Sequence, residues 1–210
     1  MPLHRLDSLS AISAPEWDAL VPTSHPFLRH AFLSALEDSG SLNPQSGWQP
    51  EHLLHYAHGT LQAALPSYRK WHSYGEYVFD HEWANACERA GIEYYPKLLT
   101  AVPFSPVSGP RLLAASAEQG RELLAALPGY LELEGLSSAH INFTDALADS
   151  ALAEQAGWLQ RLGCQFHWQN RGYRDFQDFL DTLSSRKRKQ MRKEREQVAA
   201  QGFTFEWLEG

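Results

Sequence analysis

The sequence predicts a mixed α/β fold, in which strands and helices contribute to one sheet-based core. Stretches with strand patterning alternate with stretches of helical patterning along the chain, the order typical of mixed sheets. The 210 residues are 43% hydrophobic, which is ample for one core, and the charged fraction of 20% lies outside the disordered class. The chain is therefore expected to fold as a globular protein.

The first third of the chain supplies two helices and a hairpin. A strand is predicted at 3–7, a short helix opens at Pro15, and a longer helix spans 26–39 and ends before Gly40. The longer helix repeats apolar residues at helical spacing, namely Phe27, Leu28, Ala31, Phe32, Ala35 and Leu36. After a loop at 40–50, two strands are predicted to turn at Gly59–Thr60.

The middle of the chain continues the alternation. A helix is predicted to close at Gly91, and a buried strand then runs into a Pro/Gly loop. Four further elements are predicted: a helix at 117–127, a strand at 139–146, a helix at 149–163 and a strand at 164–170.

The composition changes at residue 171, which predicts a domain boundary there. Apolar residues recur at i, i+3, i+4 and i+7 from Phe176 to Leu183, a basic run follows, and 203–207 alternates as a strand. A single strand cannot bury its apolar face, so the sequence predicts one domain at 1–170 and the opening of a second at 171–210.

Seven of the eighteen basic residues lie between Arg186 and Arg195, although the chain carries a net charge of −7. Such a run is either a solvated helix face or a site for an anionic partner, such as phosphate, diphosphate or nucleic acid. The candidate contacts are Arg186, Lys187, Arg188 and Lys189.

Several protein classes are not supported. The chain has two cysteines without CxxC spacing, no signal peptide pattern and no apolar run of ~18 residues, so a cytoplasmic protein without structural zinc is expected. His52, His55 and His58 recur every three residues, but in a strand His52 and His55 would lie on opposite faces. No metal is expected.

Residues 69–83 combine charged side chains with aromatic ones. Glu76 is the first candidate for a general base, because burial among aromatic rings raises the pKa of a carboxyl group. The alternative is a structural Glu76 paired with Arg69 or Lys70. His72 is the second candidate in this segment.

Residues 93–106 supply two phenols, a lysine and a strand that contains Pro103 and Pro106. Prolines cannot donate to a ladder, so the strand is expected to splay and expose backbone N–H groups such as that of Phe104. An exposed amide of this kind can stabilise an acyl oxyanion.

Six ordered stretches together resemble the FemAB-like bacterial proteins of the GNAT superfamily of N-acyltransferases. They are "HSYGEYVFDHEWA", "YYPKL", "VPFSPVSGPRLL", "SSAHINF", "QFHWQNRGY" and "LSSRKRKQMRKERE". The resemblance implies a GNAT-like fold as the first of two tandem units, with the second truncated, and a role in peptidoglycan biosynthesis. It also implies transfer of an acyl group from acyl-CoA or aminoacyl-tRNA to a small-molecule or lipid-linked amine.

The site expected from this resemblance gathers residues in one cleft. Glu76 would be the base, and Tyr94 or Tyr95 the acid for the leaving group. His72 would be a further catalytic residue, and Lys97 and Arg111 would contact an anion. The pyrophosphate loop of CoA-dependent relatives is not matched, since "SPVSGPRLL" stands in its place. The donor, the oligomeric state and the activity of this chain alone stay open. The alternative function is a binding module that binds RNA, such as tRNA, or another phosphate-rich ligand through residues 186–195.

Overall fold

The computed structural model describes residues 3–22, 24–78, 80–144, 151, 153–154 and 156–208. The chain separates into two compact units, residues 1–161 and residues 162–210. The division lies nine residues before the predicted boundary at 170/171. Assignment of the second unit to another GNAT-like domain stays a prediction.

The described strands of the first unit form two four-stranded sheets. Their bounds are β1 His4–Leu6, β2 Gln49–Pro50, β3 His52–Ala57, β4 Thr60–Leu65, β5 Ser67–Lys70, β6 Lys97–Thr100, β7 Leu113–Ala114 and β8 Ala139–Ile141. The first sheet has the order β1-β3-β4-β7 and the second β2-β5-β6-β8. All pairs are antiparallel except β6 and β8, which are parallel. A mixed α/β fold is thereby confirmed.

The helices of the described residues lie in both units. In the first unit they are α1 Ala14–Asp18, α2 His30–Asp38, α3 His81–Arg89 and α4 Ala117–Glu134, and in the second α5 Phe176–Asp181 and α6 Ser185–Ala200. Short 3₁₀ turns lie at Leu9–Ala11 and Pro26–Leu28. Within the described ranges, no helix is long and apolar enough to cross a membrane.

The first sheet is buried on both faces because successive apolar side chains along its strands point to opposite faces and each set packs into its own core. Leu54 and Ala64 join one core with α1 and α2, whereas Leu53 and Ala63 join another with α4. A bulge in the β3–β4 pairing places Tyr56 opposite Leu61 and skips Gln62, which returns Leu61 to the face of Ala64.

The β3–β4 hairpin turns one residue earlier than predicted. His58 and Gly59 form its two-residue loop with φ of 52° and 75°, the positive values that a tight hairpin requires at both central positions. Glycine meets this requirement without steric cost at position 59. A third strand, β5, was not predicted; it follows Pro66 and joins the second sheet.

Three predicted helix limits are wrong. The helix predicted at 26–39 begins at His30, because Pro26–Leu28 forms a separate 3₁₀ turn and Arg29 is extended. Helix α4 continues past Pro128 to Glu134, because the missing N–H of one proline removes a single helical hydrogen bond while Leu127 and Tyr130 are buried. Helix α3 starts at His81 and not near Tyr77, which has a left-handed φ of 58°.

The C-terminal strands at 164–170 and 203–207 are not formed; both segments lack regular structure and are exposed. A strand needs a neighbour to satisfy its backbone groups, and neither segment has a ladder partner among the described residues. Of the predicted helix at 149–163, residues 149, 150, 152 and 155 lie outside the described residues, and 158–163 is not helical.

Candidate functional site

The candidate site begins with two lysines on neighbouring strands. The β5–β6 register places Lys70 directly opposite Lys97, and both side chains are fully buried. Like charges directly opposite one another destabilise a sheet unless counter-charges accompany them. The counter-charges come from the loop that follows β5.

This loop, residues 71–80, has an inner and an outer set of side chains. Ser73, Glu76 and Asp80 are buried, whereas Tyr74 and Tyr77 are exposed. The inward course of the loop depends on Gly75, with φ of 78°. A Cβ at that position would lie 2.9 Å from the Phe104 ring and 3.1 Å from the Trp48 indole nitrogen, so only glycine fits.

Lys97 is the centre of a cluster of buried charged side chains that also contains Lys70, Glu76 and Asp80. Its Nζ donates to Ser73 Oγ at 2.9 Å, to Glu76 Oε2 at 2.9 Å and to Asp80 Oδ2 at 2.5 Å. An ammonium group has three hydrogens, so these three acceptors use its full donor capacity. Lys97 therefore fixes the two carboxylates in position.

Two tyrosines complete the polar network. Tyr94 donates its hydroxyl hydrogen to Asp80 Oδ2 at 2.8 Å, and the Tyr95 hydroxyl shares a 2.8 Å hydrogen bond with Ser73 Oγ. Their rings also lie 5.4 and 5.7 Å from Lys97 Nζ, within cation–π range. The two tyrosines thus fix the positions of Asp80 and Ser73, which in turn accept hydrogen bonds from Lys97.

Lys70 has a different environment from Lys97. Its Nζ donates to the Tyr74 carbonyl at 3.1 Å and lies 3.9 Å from the centre of the Trp48 ring. Glu76 Oε1 is 3.9 Å away, beyond hydrogen-bond distance. In the described part of the chain, the Tyr74 carbonyl is the one hydrogen-bond acceptor of Lys70.

Two carboxylate oxygens of the cluster are buried without a hydrogen-bond partner, Glu76 Oε1 and Asp80 Oδ1. Buried polar atoms are nearly always paired in proteins, and unpaired ones concentrate where a ligand or water belongs. Each carboxylate therefore uses one oxygen for the network and keeps the other unpaired.

Burial and neighbouring charges shift the acid–base properties of the cluster. Burial raises the pKa of Glu76 despite the opposing effect of Lys97. Burial lowers the pKa of Lys70 to about 8, with Glu76 acting in the opposite direction. Burial also opposes ionisation of Asp80, but the hydrogen bond and the positive charge of Lys97, together with the other hydrogen-bond donors to Asp80, outweigh burial, so the pKa of Asp80 falls to about 2. The cluster therefore joins an ionised Asp80 to a Glu76 with a raised pKa and a Lys70 with a lowered pKa.

The tyrosines are held in their neutral form. Burial, and then the hydrogen bond to Asp80, raises the pKa of Tyr94 well above its usual range. Burial also raises the pKa of Tyr95, with the Ser73 hydrogen bond opposing it. Release of the Tyr94 proton is thus the less favourable of the two.

The structure brings four of the residues predicted from sequence into one network: Glu76, Tyr94, Tyr95 and Lys97. The predicted partners of Glu76 were Arg69 or Lys70. Arg69 instead binds Glu51 at 2.6 Å, whereas Lys70 forms an ion pair with Glu76 at 3.9 Å. The hydrogen-bonded partner of Glu76 is Lys97. The catalytic roles of these residues stay predictions.

The other predicted site residues surround this network or lie apart from it. The His72 ring accepts a hydrogen bond from the Tyr74 backbone, and burial followed by the charge of Lys70 lowers its pKa. Phe104 adopts a left-handed φ of 55°, and its ring lies 5.3 Å from that of Trp48. Arg111 is fully buried and donates to the carbonyls of Val107, Pro110 and Asn142.

Helix α6 carries the basic run, and all of its side chains are exposed or half-buried. At 100° per residue, six of the seven cations fall within about half of the helix circumference, and Lys187 lies outside it. Arg188 pairs with Asp181 at 2.9 Å and Arg192 donates to Gln177 at 2.9 Å. Together with Lys189 and Lys193, these two arginines line a groove of about 580 Å³.

The histidines of β3 serve the core. His52 Nε2 lies 3.0 Å from Glu37 Oε1, and His55 Nε2 lies 3.2 Å from Glu122 Oε2. Within the residues that the structure describes, no group of three or more His, Cys, Asp or Glu side chains is arranged to hold a metal ion.

Sequence reasoning did not single out Lys70, Ser73 or Asp80 as site residues. Ser73 and Asp80 lie three residues before and four residues after Glu76, and Lys70 is the last residue of β5. A prediction of β5 as a strand next to β6 could have paired the two lysines, but the register depends on tertiary contacts.

The comparison with protein families agrees with the resemblance found in the sequence. An aminoglycoside antibiotic 6′-N-acetyltransferase from Acinetobacter haemolyticus, in its apo form, matches with a TM-score of 0.42 and 13% identity, over 81% of this chain and 99% of that chain. A similarity of this size supports no conclusion about fold or function. No curated protein matches the chain. The FemAB-like family, described as peptidoglycan biosynthesis/recognition, matches residues 8–210. The chain therefore belongs to the FemAB-like family.

Proposed function

We propose that this protein is an N-acyltransferase of the FemAB and GNAT type, which transfers an acyl group from an activated donor to an amine. The observation that carries the proposal is the buried Glu76 carboxylate, with Oε2 fixed by Lys97 at 2.9 Å and Oε1 unpaired. A carboxylate with a raised pKa and a fixed orientation suits a general base. Membership of the FemAB-like family supports the same reaction class.

The proposed reaction has three contributions from this chain. Glu76 Oε1 removes a proton from the attacking amine, and the N–H of Phe104 stabilises the oxyanion. In the described residues, that N–H has no hydrogen-bond acceptor, because Phe104 follows the end of β6 in a turn. Tyr95 supplies the proton for the leaving group, since the Tyr94 proton is held by Asp80.

Lys97 and Arg111 take positioning roles in this proposal. Lys97 donates three hydrogen bonds to protein acceptors, and the Arg111 guanidinium donates to three backbone carbonyls. Contact with a substrate anion would require Lys97 to exchange a protein partner, because its three hydrogens are all donated. Both acyl-CoA and aminoacyl-tRNA remain candidates for the donor, and the acceptor is an amine, with a cell-wall precursor as one candidate.

The test is substitution of Glu76 by Gln in the full-length protein. Transfer from acetyl-CoA and from aminoacyl-tRNA to a lysine-containing peptide is measured, and kcat is expected to fall by the ~10²–10⁴ typical of a general base. Glu51→Gln is the matched control, because Glu51 is also buried and ion-paired but contacts Arg69 and Tyr130 outside the cluster. Equal turnover of Glu76→Gln and wild type would contradict the proposal.

A second candidate function rests on α6. Its cations form one exposed face and line a groove of about 580 Å³, an arrangement that suits an RNA backbone or another phosphate-rich ligand. This candidate requires no chemistry at Glu76, so the Glu76→Gln variant would leave ligand binding unchanged.

A further inference from the structure

The two buried lysines of the cluster are not equivalent, although their backbones are directly paired. Lys97 donates to three side-chain oxygens between 2.5 and 2.9 Å away. Lys70 donates to a single backbone carbonyl and otherwise faces the Trp48 ring and the unpaired Glu76 Oε1. One lysine is fully paired, and the other retains donor capacity beside an unpaired acceptor.

Lys70 and Glu76 form a buried ion pair whose charged atoms, Lys70 Nζ and Glu76 Oε1, are too far apart for a direct hydrogen bond. The two atoms are 3.9 Å apart, and both side chains are at least nine-tenths buried. A buried ammonium and a buried carboxylate in this relation are best satisfied by a group that accepts from the lysine and donates to the glutamate.

The tetrahedral intermediate of acyl transfer to an amine is such a group. Its oxyanion is an acceptor, its nitrogen carries a hydrogen, and both atoms are bonded to one carbon. Because they are closer together than 3.9 Å, the oxyanion can reach Lys70 Nζ while the nitrogen reaches Glu76 Oε1. We propose that Lys70 is a catalytic residue that stabilises the oxyanion, opposite Glu76 as base; this inference rests on the proposed function.

The step balances in atoms and charge. The amine nitrogen forms a bond to the carbonyl carbon of a thioester or ester donor, its proton passes to Glu76, and the carbonyl π pair becomes the oxyanion beside Lys70. Collapse re-forms the carbonyl and breaks the bond to sulfur or oxygen, and the leaving group takes up the proton of Tyr95. The proton held by Glu76 then restores Tyr95, so that the site returns to its starting state. Lys70 remains protonated throughout.

Trp48 and the Tyr74 carbonyl position Lys70 for this task. The Trp48 side chain is fully buried, and its ring holds the ammonium at 3.9 Å by a cation–π contact. The charged groups near Lys70 are Glu76, Lys97 and Asp80, and His72 also senses its charge. A positive charge in this low-dielectric region acts more strongly on an oxyanion than it would in water.

The first test compares Lys70→Met, Lys70→Arg and the control Arg69→Met in the full-length protein, with acetyl-CoA and aminoacyl-tRNA as donors. Lys70→Met is expected to lower kcat by ~10²–10³ with little change in KM, as for loss of an oxyanion donor. Arg69→Met removes a neighbouring cation that pairs with Glu51, so its kcat should stay unchanged. An unchanged kcat in Lys70→Met would overturn the inference while leaving the proposed function intact.

A pH profile separates this role from a merely structural one. Wild-type kcat should fall as the pH rises above about 8, where Lys70 loses its proton. In Lys70→Arg the alkaline fall should move to higher pH, because arginine stays charged. The same alkaline fall in both proteins would overturn the inference, even if Lys70→Met fails to fold.

A binding measurement tests the inference even if the wild-type protein transfers no acyl group and the proposed function fails. The indole ¹⁵N–H resonance of Trp48, assigned with Trp48→Phe, is followed by NMR as acetyl-CoA or aminoacyl-tRNA is added. A shift in wild type that is lost in Lys70→Met supports donor binding at Lys70. The absence of a wild-type shift with both donors overturns it.

Discussion

Lysine and carboxylate side chains occur in two opposite settings in this protein. Around Lys97 the charged side chains are buried and joined by hydrogen bonds, although Glu76 Oε1 and Asp80 Oδ1 have no hydrogen-bond partner. On α6 the charges are exposed or half-buried, and of its described cations only Arg188 and Arg192 have polar side-chain partners, each at 2.9 Å. Buried charges act individually, because removing one leaves its partner unpaired in a low-dielectric region. Exposed charges act collectively and through salt-dependent attraction.

The largest difference in the free energy of unfolding is expected when one lysine is removed from each of the two settings. Lys97→Met leaves the Glu76 and Asp80 carboxylates without their ammonium partner, so the free energy of unfolding should fall by about 3–5 kcal/mol. Lys193→Met on α6 should change it by less than about 0.5 kcal/mol. Urea unfolding of both variants measures the difference, and similar losses would contradict the distinction.

The second prediction concerns the pH dependence of stability through Asp80. Its folded pKa of about 2 lies below the ordinary value of 3.8, so its contribution is present above pH 3.8 and is lost as the pH falls through 2. The shift corresponds to about 2 kcal/mol. Asp80→Asn should therefore be less stable than wild type at pH 6, and the difference should shrink toward pH 2.

Asp181→Asn is the control for this titration, since Asp181 pairs with Arg188 on the exposed surface. Its effect on the free energy of unfolding should be about 0–1 kcal/mol. A constant difference between Asp80→Asn and wild type from pH 6 to pH 2 would show that ionisation of Asp80 is not the cause.

Substitutions in the basic face of α6, residues 186–195, are expected to have the smallest effect on stability. They are expected to have the largest effect on the salt dependence of ligand binding. Arg186, Lys187, Arg188 and Lys189 changed together to Gln should leave folding nearly unchanged. The variant should weaken binding to tRNA and reduce the slope of log affinity against log salt by ~0.7 for each lost single-strand phosphate contact.

The control for the basic face removes the same charge from exposed positions elsewhere, by changing four arginines to Gln: Arg89, Arg121, Arg161 and Arg171. Filter binding at two ionic strengths measures both variants. Equal affinities and slopes for the two variants would reduce the α6 run to a solvated helix face.

The sequence by itself determined the elements with strong local signals. Most of helix α2 follows from apolar spacing and its end from Gly40, and helix α4 begins at Ala117, where the pattern predicts it. Glu76 was identified from its aromatic and polar surroundings, and Tyr94, Tyr95 and Lys97 from a polar segment together with the resemblance to the FemAB-like family. These features depend on residues that are near one another in the chain, so the sequence carries them directly.

Only the tertiary structure decided which charges meet. The β5–β6 register pairs Lys70 with Lys97, and the left-handed Gly75 turns Glu76 toward them. The predicted strand at 203–207 is not formed, and the lysine pair was not predicted, for the same reason. In both cases strand pairing depends on a partner that is distant in the sequence. Local patterns specify the conformation that a segment prefers, but long-range contacts decide which side chains become buried together, and in this protein they create the site.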